Sequence, residues 1–280
     1  MRLKKEKAQV FFPTTSGGKL SDTTHLCIVA HQDDIELMAS GAILECYGNG
    51  SKFFTGVTVT DGAGSPRAGI YANFDDNKMK ELRADEQNNA ASIGHYNAQL
   101  QLCYSSAQVR DNQDTTLVDE LVEIILATKP QVIFTHNFAD KHDTHCAVAT
   151  RVLTALRKIP PDQRPKQLYS MEVWRGLDWV CDTEKTLFDT SNDEFLQAAL
   201  LGVYHSQIAG GKRYDLAGLG RKRANATYFA SHATDNFTAA EYGLDITELM
   251  NNETLTPAVF MGRYIDKFKE DVNKRLGMFS

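Results

Sequence analysis

Residues 26–36 read LCIVAHQDDIE, an apolar run that is followed at once by one histidine and three carboxylates. The run at 26–30 is short and continuous, which predicts a buried β-strand. The next stretch, 33–48, carries apolar residues at helical spacing from Ile35 to Cys46, so it predicts a helix. A strand that leads directly into a helix is the first half of a strand–helix–strand unit.

The same alternation continues along the first two-thirds of the chain. Strand-like segments lie at 53–60, 98–103, 131–136 and 166–174, and helix-like segments lie at 78–94, 115–128, 143–158 and 192–204. Repeated strand–helix–strand units predict an α/β fold with a Rossmann-like, mostly parallel sheet and helices on both faces. In such sheets, ligands bind beyond the carboxyl ends of the strands.

The C-terminal part of the chain has a weaker pattern. From about residue 176 the alternation weakens, apart from the helix-like segment at 192–204 and an amphipathic helix at 260–276. We expect one domain over residues 1–280, with a core at about 22–207 and an irregular C-terminal extension at about 208–280. A basic cluster in this extension favours a solvated surface, or less strongly a phosphate-binding surface; it comprises Lys212, Arg213, Arg221, Lys222 and Arg223.

Composition argues against several classes of protein. The net charge of −6 over 280 residues is not that of a dedicated nucleic-acid-binding protein. The 5 cysteines are widely spaced and form no C-x-x-C pair, which disfavours a disulfide framework or a thiolate zinc site. No apolar run is long enough to span a bilayer, and the basic N-terminus lacks the apolar segment of a signal peptide. We therefore predict a cytoplasmic protein with no integral membrane segment and no nucleic-acid partner.

The polar cluster after the first strand suits a cation. His31, Asp33, Asp34 and Glu36 lie where a nucleotide-binding fold would have a glycine-rich loop. Carboxylates there would repel a pyrophosphate, whereas imidazole and carboxylate together suit zinc or another divalent metal. Adjacent aspartates at a turn point apart, so one could bind the metal while the other acts as a base towards water. The alternative is that these acids cap the helix and interact with its dipole.

A second cluster, THNFADKHDTH at residues 135–145, also follows a strand end. Its candidate residues are three of the chain's 8 histidines and two aspartates, namely His136, Asp140, His142, Asp143 and His145. His142 and His145 share one face of a helix start, so one could bind a metal while the other contacts the group bound beside it. Alone, this cluster is also explained by a solvated helix start. Two such clusters at two strand ends are hard to explain as independent caps, so we expect them to converge.

These motifs resemble those of the PIG-L/LmbE-like zinc deacetylases, which remove acetyl groups from N-acetylglucosamine-type amides. Residues 30–36 match the family's AHPDDxE motif except that Gln32 replaces proline, and residues 140–145 match its D-x-H-x-D-H stretch in part. Residues 83–86 are similar to its R-x-x-E helix, and residues 205–207 are similar to a late H-x-S-Q element. The four elements leave the C-terminal part of the chain uncovered.

The resemblance implies a role for each residue of the two clusters. It implies metal ligation by His31, Asp34 and His145, with Zn²⁺ as the expected ion and Fe²⁺ as the alternative. It also implies that Asp33 is the general base. His142 would then stabilise the oxyanion and protonate the leaving amine.

One departure from the family's pattern concerns His142. Thr144 replaces the aspartate that commonly precedes the second histidine and is thought to orient the catalytic imidazole. Asp143 or Asp140 is expected to take over this role. If neither does, the pKa of His142 is no longer set by a carboxylate.

Further side chains are expected to bind substrate or to support the site; they are Glu36, Asp61, Arg67, Arg83, Asp140, Asp143 and His205. Asp61 has an alternative as a turn residue before a glycine, and Arg67 lies in a long polar loop that is either a lid or a solvated connection. Arg83 and Glu86 could instead form a surface ion pair. Trp174 ends a strand and could stack on a sugar ring or pack in the core.

The sequence therefore predicts a metal-dependent hydrolase. It would remove an acetyl or acyl group from the amide nitrogen of an N-acetylglucosamine-type sugar or glycoconjugate by means of metal-activated water. One alternative is a catalytically impaired member that only binds metal or sugar, and a second is an iron enzyme with two histidine ligands and one carboxylate ligand. The expected partner is a small N-acetylated sugar or glycoconjugate, and a homo-oligomer is compatible with the sequence.

Overall fold

The structure is a computed structural model that describes residues 2–13 and 18–279. Within these residues one sheet contains eight strands, which are β1 (Gln9–Phe11), β2 (His25–Val29), β3 (Phe54–Thr60), β4 (Ala98–Tyr104), β5 (Val132–His136), β6 (Gln167–Met171), β7 (Thr186–Asp189) and β8 (Ala240–Asp245). Their order across the sheet is β1–β4–β3–β2–β5–β6–β8–β7.

The middle of the sheet is parallel, as the sequence predicts. The neighbouring strands β4, β3, β2, β5 and β6 all run in the same direction. Antiparallel strands complete both sides, with β1 at one edge and with β8 inserted between β6 and the other edge strand, β7. The predicted α/β fold with a mostly parallel sheet is therefore confirmed.

Helices connect the parallel strands and cover the sheet. They are α1 (Asp34–Met38), α2 (Ser40–Cys46), α3 (Asp76–Ile93), α4 (Ser106–Arg110), α5 (Thr116–Thr128), α6 (Asp143–Lys158), α7 (Glu194–Gly202), α8 (His205–Ala209), α9 (Tyr214–Tyr228), α10 (Thr247–Asn251) and α11 (Pro257–Gly277). Short 3₁₀ turns add to them, one of which, at Gly69–Tyr71, lies in the long polar loop.

Two apolar cores lie on opposite faces of the sheet. Alternate residues of β2 enter different cores, with Leu26 and Ile28 in one and Cys27 and Val29 in the other. This is the period of two that a β-strand imposes. Helices α5 and α6 pack in the first core, and α2 and α3 pack in the second. Each large aliphatic side chain that is fully buried in this way contributes about 1.5–3 kcal/mol.

Helix α6 shows how the sequence positions a chemical group. Val148, Val152 and Leu156 recur every four residues and are all fully buried, so this stripe fixes the helix against the sheet. Its N-terminus therefore has to lie beyond the carboxyl end of β5. His142, the N-cap residue, and His145, in the first turn, are carried to that edge.

Two parts of the chain differ from the expectation. The helix expected over 33–48 is two helices, because the chain breaks at Ala39 between α1 and α2. The C-terminal extension is not irregular: it forms α9, β8, α10 and α11, and β8 is a buried strand of the main sheet. This regularity comes from tertiary pairing, since β8 is held by neighbours on both sides rather than by its own pattern.

No helix among residues 2–13 and 18–279 is both long and apolar enough to cross a membrane.

Candidate active site

The two predicted clusters meet at the carboxyl ends of β2 and β5. These strands are adjacent, and the helices that follow them, α2 and α6, pack on opposite faces of the sheet. A crevice opens where successive connections diverge in this way. The backbone N–H of Ala30, just after β2, donates a hydrogen bond of 2.8 Å to Nε2 of His136, at the end of β5. His136 is buried and links the two strand ends.

Donor atoms from the three predicted ligands lie close together. Nδ1 of His31 is 3.2 Å from Oδ2 of Asp34 and 3.1 Å from Nε2 of His145, and the latter two atoms are 3.4 Å apart. In a tetrahedral zinc site with bonds of about 2.0–2.1 Å, neighbouring donors are roughly 3.3 Å apart. The spacing therefore fits a divalent cation. His145 also shares overlapping groups of potential ligands with Asp34 and His136, and with His31 and His142.

The charge states of these groups also suit a cation. Burial acts to raise the pKa of Asp34, but the imidazoles of His145 and His136 outweigh burial and hold that pKa well below its usual range. Burial lowers the pKa of His145, which favours its neutral form. An ionised carboxylate beside a neutral imidazole is the donor set that binds a divalent metal at neutral pH.

Asp140 supports His145 from the side away from the cluster. Its Oδ2 lies 2.9 Å from Nδ1 of His145 and accepts the backbone N–H of Val173 at 3.2 Å. Burial acts to raise the pKa of Asp140, but the interactions with His145 lower it overall. A carboxylate on one ring nitrogen fixes the tautomer that leaves the other nitrogen free for a metal.

His142 lies beside the cluster without a carboxylate partner. Its ring centroid is 4.9 Å from that of His31, and its Nδ1 accepts the backbone N–H of Thr144 at 3.2 Å. In the described part of the chain neither Asp143, which is exposed, nor Asp140 hydrogen-bonds to it. Burial lowers the pKa of His142, and neighbouring imidazoles lower it further. The expected substitution of Asp143 or Asp140 for the missing aspartate is therefore not what the structure contains.

Asp33 occupies a strained position next to the cluster. It is the N-cap of α1 with a φ of 86°, a left-handed conformation that side chains other than glycine rarely adopt outside special sites. Its Oδ2 accepts from Nη2 of Arg83 at 2.8 Å, and its backbone N–H donates to Oε1 of Gln87 at 3.3 Å. Burial raises the pKa of Asp33 to about 7, and Arg83 limits this rise. The carboxyl group can therefore exchange a proton near neutral pH.

The R-x-x-E and H-x-S-Q elements form one buried network beneath Asp33. Arg83 is buried and donates from Nη1 to Oε2 of Glu86 at 3.0 Å. Glu86 in turn accepts the backbone N–H and the hydroxyl of Ser206, at 2.6 and 2.7 Å. Arg83 and Glu86 thus form no surface pair. They connect α3 and α8 to the aspartate.

Glu36 also helps to hold Asp33 in place. It is fully buried and accepts from the hydroxyls of Tyr96 and Tyr204, both at 2.6 Å, and from Nε2 of Gln87 at 3.0 Å. Burial raises the pKa of Glu36. Because Gln87 also bonds to the backbone of Asp33, Glu36 acts on the cluster through one intermediate side chain.

A cavity of about 280 Å³ opens in front of the cluster. Its lining includes both groups suited to acid–base chemistry and the three potential ligands, namely Asp33, His142, His31, Asp34 and His145. Asp61 also lines it and pairs with Nζ of Lys80 at 2.9 Å. The site therefore combines a place for a cation, two proton-exchanging groups and space for a small ligand.

Comparison with known families agrees with these features. Residues 26–156 match the family model of PIG-L, described as GlcNAc-PI de-N-acetylase. This stretch contains both clusters and the R-x-x-E helix. This part of the chain is therefore similar to PIG-L domains. No curated protein sequence matches the chain.

Solved structures share the fold of this chain at low sequence identity. N,N′-diacetylchitobiose deacetylase from Pyrococcus horikoshii is 14% identical, with a TM-score of 0.64 over 82% of this chain and 86% of that chain. The conserved protein TT1542 from Thermus thermophilus is 18% identical, with a TM-score of 0.62 over 80% and 94%. GalB, the 4-carboxy-2-hydroxymuconate hydratase from Pseudomonas putida, is 16% identical, with a TM-score of 0.59 over 80% and 96%. At these identities the matches show a shared fold, and their named reactions differ.

Four further residues of the cavity lie outside the PIG-L match. Val173, Trp174, Gln207 and Tyr214 all line it. Trp174 is the last residue of the strand-like segment at 166–174, and Gln207 lies in the H-x-S-Q element, so the sequence already pointed to both. No sequence pattern pointed to Tyr214, because it begins a helix in the stretch that was expected to be irregular.

Five of the predicted substrate-binding or supporting residues lie outside this cavity. Glu36 and Asp140 support the site as described above, whereas Arg67, His205 and Asp143 do not. Arg67 bonds to the carbonyl of Ala63 and to Asp76, so it braces the polar loop. His205 is exposed, and its Nδ1 lies 2.6 Å from the hydroxyl of Tyr71. Asp143 is exposed at the start of α6. None of these three contacts supports a role in binding a substrate.

Proposed function

We propose that the chain is a metal-dependent N-deacetylase that removes an acetyl group from the amide nitrogen of an N-acetylglucosamine-type sugar. The observation that carries this proposal is the convergence of His31, Asp34 and His145 within 3.1–3.4 Å of one another. Asp33 and His142 border the same cavity. Amide hydrolysis needs a base and an acid in these positions.

His31, Asp34 and His145 would hold the metal. Two imidazole nitrogens and one carboxylate oxygen suit zinc, and the same donors also suit Fe²⁺. When bound, such an ion lowers the pKa of water and polarises a carbonyl oxygen. Asp140 would keep the tautomer of His145 correct for this role.

Asp33 would take the proton of the attacking water. Arg83 holds its carboxylate in place, and the pKa near 7 lets it accept a proton at neutral pH and release it later. The side chain of Asp33 contacts Arg83, whereas that of Asp34 contacts His31 and His145. Asp33 would therefore act on the water, and Asp34 would bind the metal.

His142 would serve the other side of the amide. It would donate a hydrogen bond from Nε2 to the oxyanion, while the proton that Asp33 has taken from water passes to the departing nitrogen, which leaves acetate and a free amine. Since its Nδ1 accepts the N–H of Thr144, its ring proton lies on Nε2 in the neutral form. This backbone hydrogen bond orients the ring in place of the missing aspartate.

The kind of substrate is supported by the family and by neighbours of the fold. The PIG-L description names a GlcNAc amide, and one structural neighbour is named for an N-acetylated chitobiose. A further neighbour is named as the deacetylase of an antimicrobial reagent, A40926 pseudoaglycone. The hydratase GalB shows that the fold alone does not decide the reaction. The donors and the acid–base pair are what favour hydrolysis here.

The test is release of acetate from N-acetylated sugars by the purified full chain. We expect acetate and free amine in equal amounts, loss of both after chelation, and recovery on addition of zinc or ferrous iron. Metal binding without acetate release across the sugars would instead indicate a binding protein. Oxygen consumption with a 2-oxo acid would indicate the iron-oxygenase alternative.

A further inference from the structure

Helix α11 extends past the core that anchors its first turns. Phe260 and Met261 are its buried residues, and Tyr264 packs at the edge of the same core. From Ile265 to Gly277 every residue is at least partly exposed, over a length of about 20 Å at 1.5 Å per residue. An isolated helix of this length is only marginally stable in water, so we expect this half of α11 to pack against another surface.

One face of this exposed half is apolar. Ile265, Phe268, Val272 and Leu276, here called the apolar stripe, follow one another at steps of three, four and four residues. This spacing places them within roughly 80° of the helix circumference. They are between 38% and 63% exposed, whereas Met261, four residues before Ile265, begins the same line and is buried. The domain therefore covers the start of this line and leaves the apolar stripe available for contact.

The apolar stripe faces away from the domain. Nζ of Lys267 pairs with Oε1 of Glu184 at 2.6 Å, which holds the middle of α11 against the domain. Lys267 precedes Val272 by five residues, which corresponds to roughly 140° around the helix. A second molecule can therefore approach the apolar stripe from the side opposite this contact.

The apolar stripe is symmetric about Val272. Phe268 lies four residues before it and Leu276 lies four residues after it. When two copies of α11 lie antiparallel with Val272 at the centre, Phe268 of each copy packs against Leu276 of the other. Ile265 then faces Phe279, which is exposed just beyond the helix end. A two-fold dimer requires such a self-complementary face, because the same patch serves both partners.

The charges along the helix favour the antiparallel arrangement. Residues 265–271 carry three acids and two lysines, whereas residues 272–277 carry Lys274, Arg275 and no acid. Antiparallel packing sets the more acidic half of one helix beside the basic half of the other, and parallel packing would set the two basic halves side by side. Asp271 and Arg275 pair at 3.0 Å within one helix. Around the central Val272, each also comes close to its opposite in the second copy.

The polar side of α11 suits a second copy better than a lipid surface. Helices that lie on membranes carry mainly Lys and Arg on their polar face. The exposed half of α11 instead mixes its cations with Asp266, Glu270 and Asp271. An anionic bilayer would repel these carboxylates, whereas the cations of a second α11 would attract them.

We propose that the apolar stripe is a homodimer interface, in which the α11 helices of two copies pack antiparallel about a two-fold axis at Val272. This inference goes beyond the proposed deacetylase function and does not depend on it. A single pair of helices of this length buries less than the roughly 1,200–2,000 Å² of a standard interface. The dimer is therefore reversible, with a dissociation constant on the order of micromolar.

The first test is the mass of the full chain in solution, measured by sedimentation across the micromolar range. The mass of wild-type protein should rise with concentration from 31.2 kDa to twice that value. Val272→Lys places two like charges at the axis and should raise the dissociation constant by about 100-fold or more. Val259→Lys is the matched control, since Val259 is 58% exposed and lies on another side of the same helix. A monomer at every concentration, or equal weakening in both variants, would contradict the proposal.

Cysteine cross-linking tests the direction of packing without disrupting the interface. Helix α11 contains no cysteine, so wild-type protein gives the background from the native thiols. With an added oxidant, Val272→Cys should cross-link to itself, and a mixture of Phe268→Cys and Leu276→Cys should cross-link more than either variant alone. Self-cross-linking of Phe268→Cys above background would indicate parallel helices and overturn the arrangement.

Vesicles separate a second copy from a lipid surface. We expect no binding of wild-type protein to vesicles of phosphatidylcholine and phosphatidylglycerol, together with the dimer in solution. Binding to these vesicles that Val272→Lys abolishes and Val259→Lys retains, with wild-type protein monomeric in solution, would assign the apolar stripe to a membrane and overturn the dimer.

Discussion

The protein contains two buried clusters of charge that look alike in burial and differ in what surrounds them. In the first, Asp33, Asp34 and His145 have at most 5% of their surface exposed. In the second, Lys222 of α9 and Glu241 of β8 are similarly buried and form an ion pair of 3.1 Å. The first cluster faces the cavity in front of the metal ligands, whereas the second lies outside the lining of that cavity.

The charged groups of the second cluster form hydrogen bonds and an ion pair with neighbouring groups. Glu241 accepts the backbone N–H groups of Ser40 and Gly41, at 3.1 and 2.9 Å, so it caps the start of α2. Lys222 donates to the carbonyl of Glu36 at 3.0 Å and to the hydroxyl of Ser40. Every charge there has a fixed partner. The comparison shows that buried charge marks a reactive site only where donors keep free capacity towards an open space.

Asp33→Asn should give the largest effect on the first cluster. Asparagine tolerates the left-handed backbone and keeps an acceptor for Arg83, but it cannot take a proton from water. We expect kcat to fall by about 10²–10⁴-fold while metal content is unchanged. The measurements are acetate release and metal analysis of the same preparation. Asp34→Asn is the matched comparison and should lose the metal. Equal loss of metal and activity in Asp33→Asn would mean that the roles of the two aspartates are reversed.

Lys222→Met should affect stability instead of chemistry. It leaves the carboxylate of Glu241 buried without its cation, which costs about 3–5 kcal/mol for pairs of this kind. We expect a clear fall in the free energy of unfolding, measured by denaturant titration, and partial recovery when Glu241→Gln removes the remaining charge. Arg223→Met is the control from the same basic cluster, since Arg223 is exposed and pairs only with exposed Glu194. A loss no larger than that of the control would show that the buried pair is not stabilising.

The same contrast explains what the sequence could predict. Within residues 26–156 both ligand clusters come after strands whose apolar runs are continuous. Placing His31 and His145 at one edge of the sheet therefore needed only local patterns and the parallel-sheet rule. Strand β8 has no comparable run, and its place depends on pairing with β6 and β7. Long-range pairing of this kind is not visible in local periodicity.

Lys222 shows that the burial of a single basic residue could not be predicted from the sequence. The stretch GGKRYDLAGLGRKR suggests a solvated surface because it is rich in glycine and basic residues. In the structure, α9 turns one of these cations inwards to the carbonyl of Glu36, while Arg223 faces solvent. Which lysine or arginine is buried depends on what α9 packs against. The sequence likewise left open whether Asp143 or Asp140 would replace the missing carboxylate partner of His142, and in the structure Asp140 pairs with His145 instead.

Asp140→Asn should weaken the first cluster without removing a ligand. Asp140 contacts Nδ1 of His145, and losing its charge weakens the preference for the tautomer that leaves Nε2 free. We expect metal affinity to fall by about 10–100-fold, measured by competition with a chelator. Asp143→Asn is the matched control on an exposed aspartate nearby, and its metal affinity should match wild type. A similar fall in both variants would point to general charge loss near the site.

Arg83→Gln should shift the pH dependence of the first cluster. Burial raises the pKa of Asp33 to about 7, and the guanidinium of Arg83 opposes that rise, so its removal raises the pKa further. Because the base acts when deprotonated, the acid limb of kcat/KM should move to higher pH, by about one unit. Arg83→Lys keeps the positive charge and should shift the limb less. A bound cation lowers the pKa of Asp33 in all three proteins, so the difference between variants carries the test. Activity that falls by the same factor at every pH would mean that Arg83 only maintains the fold of α3 against α8.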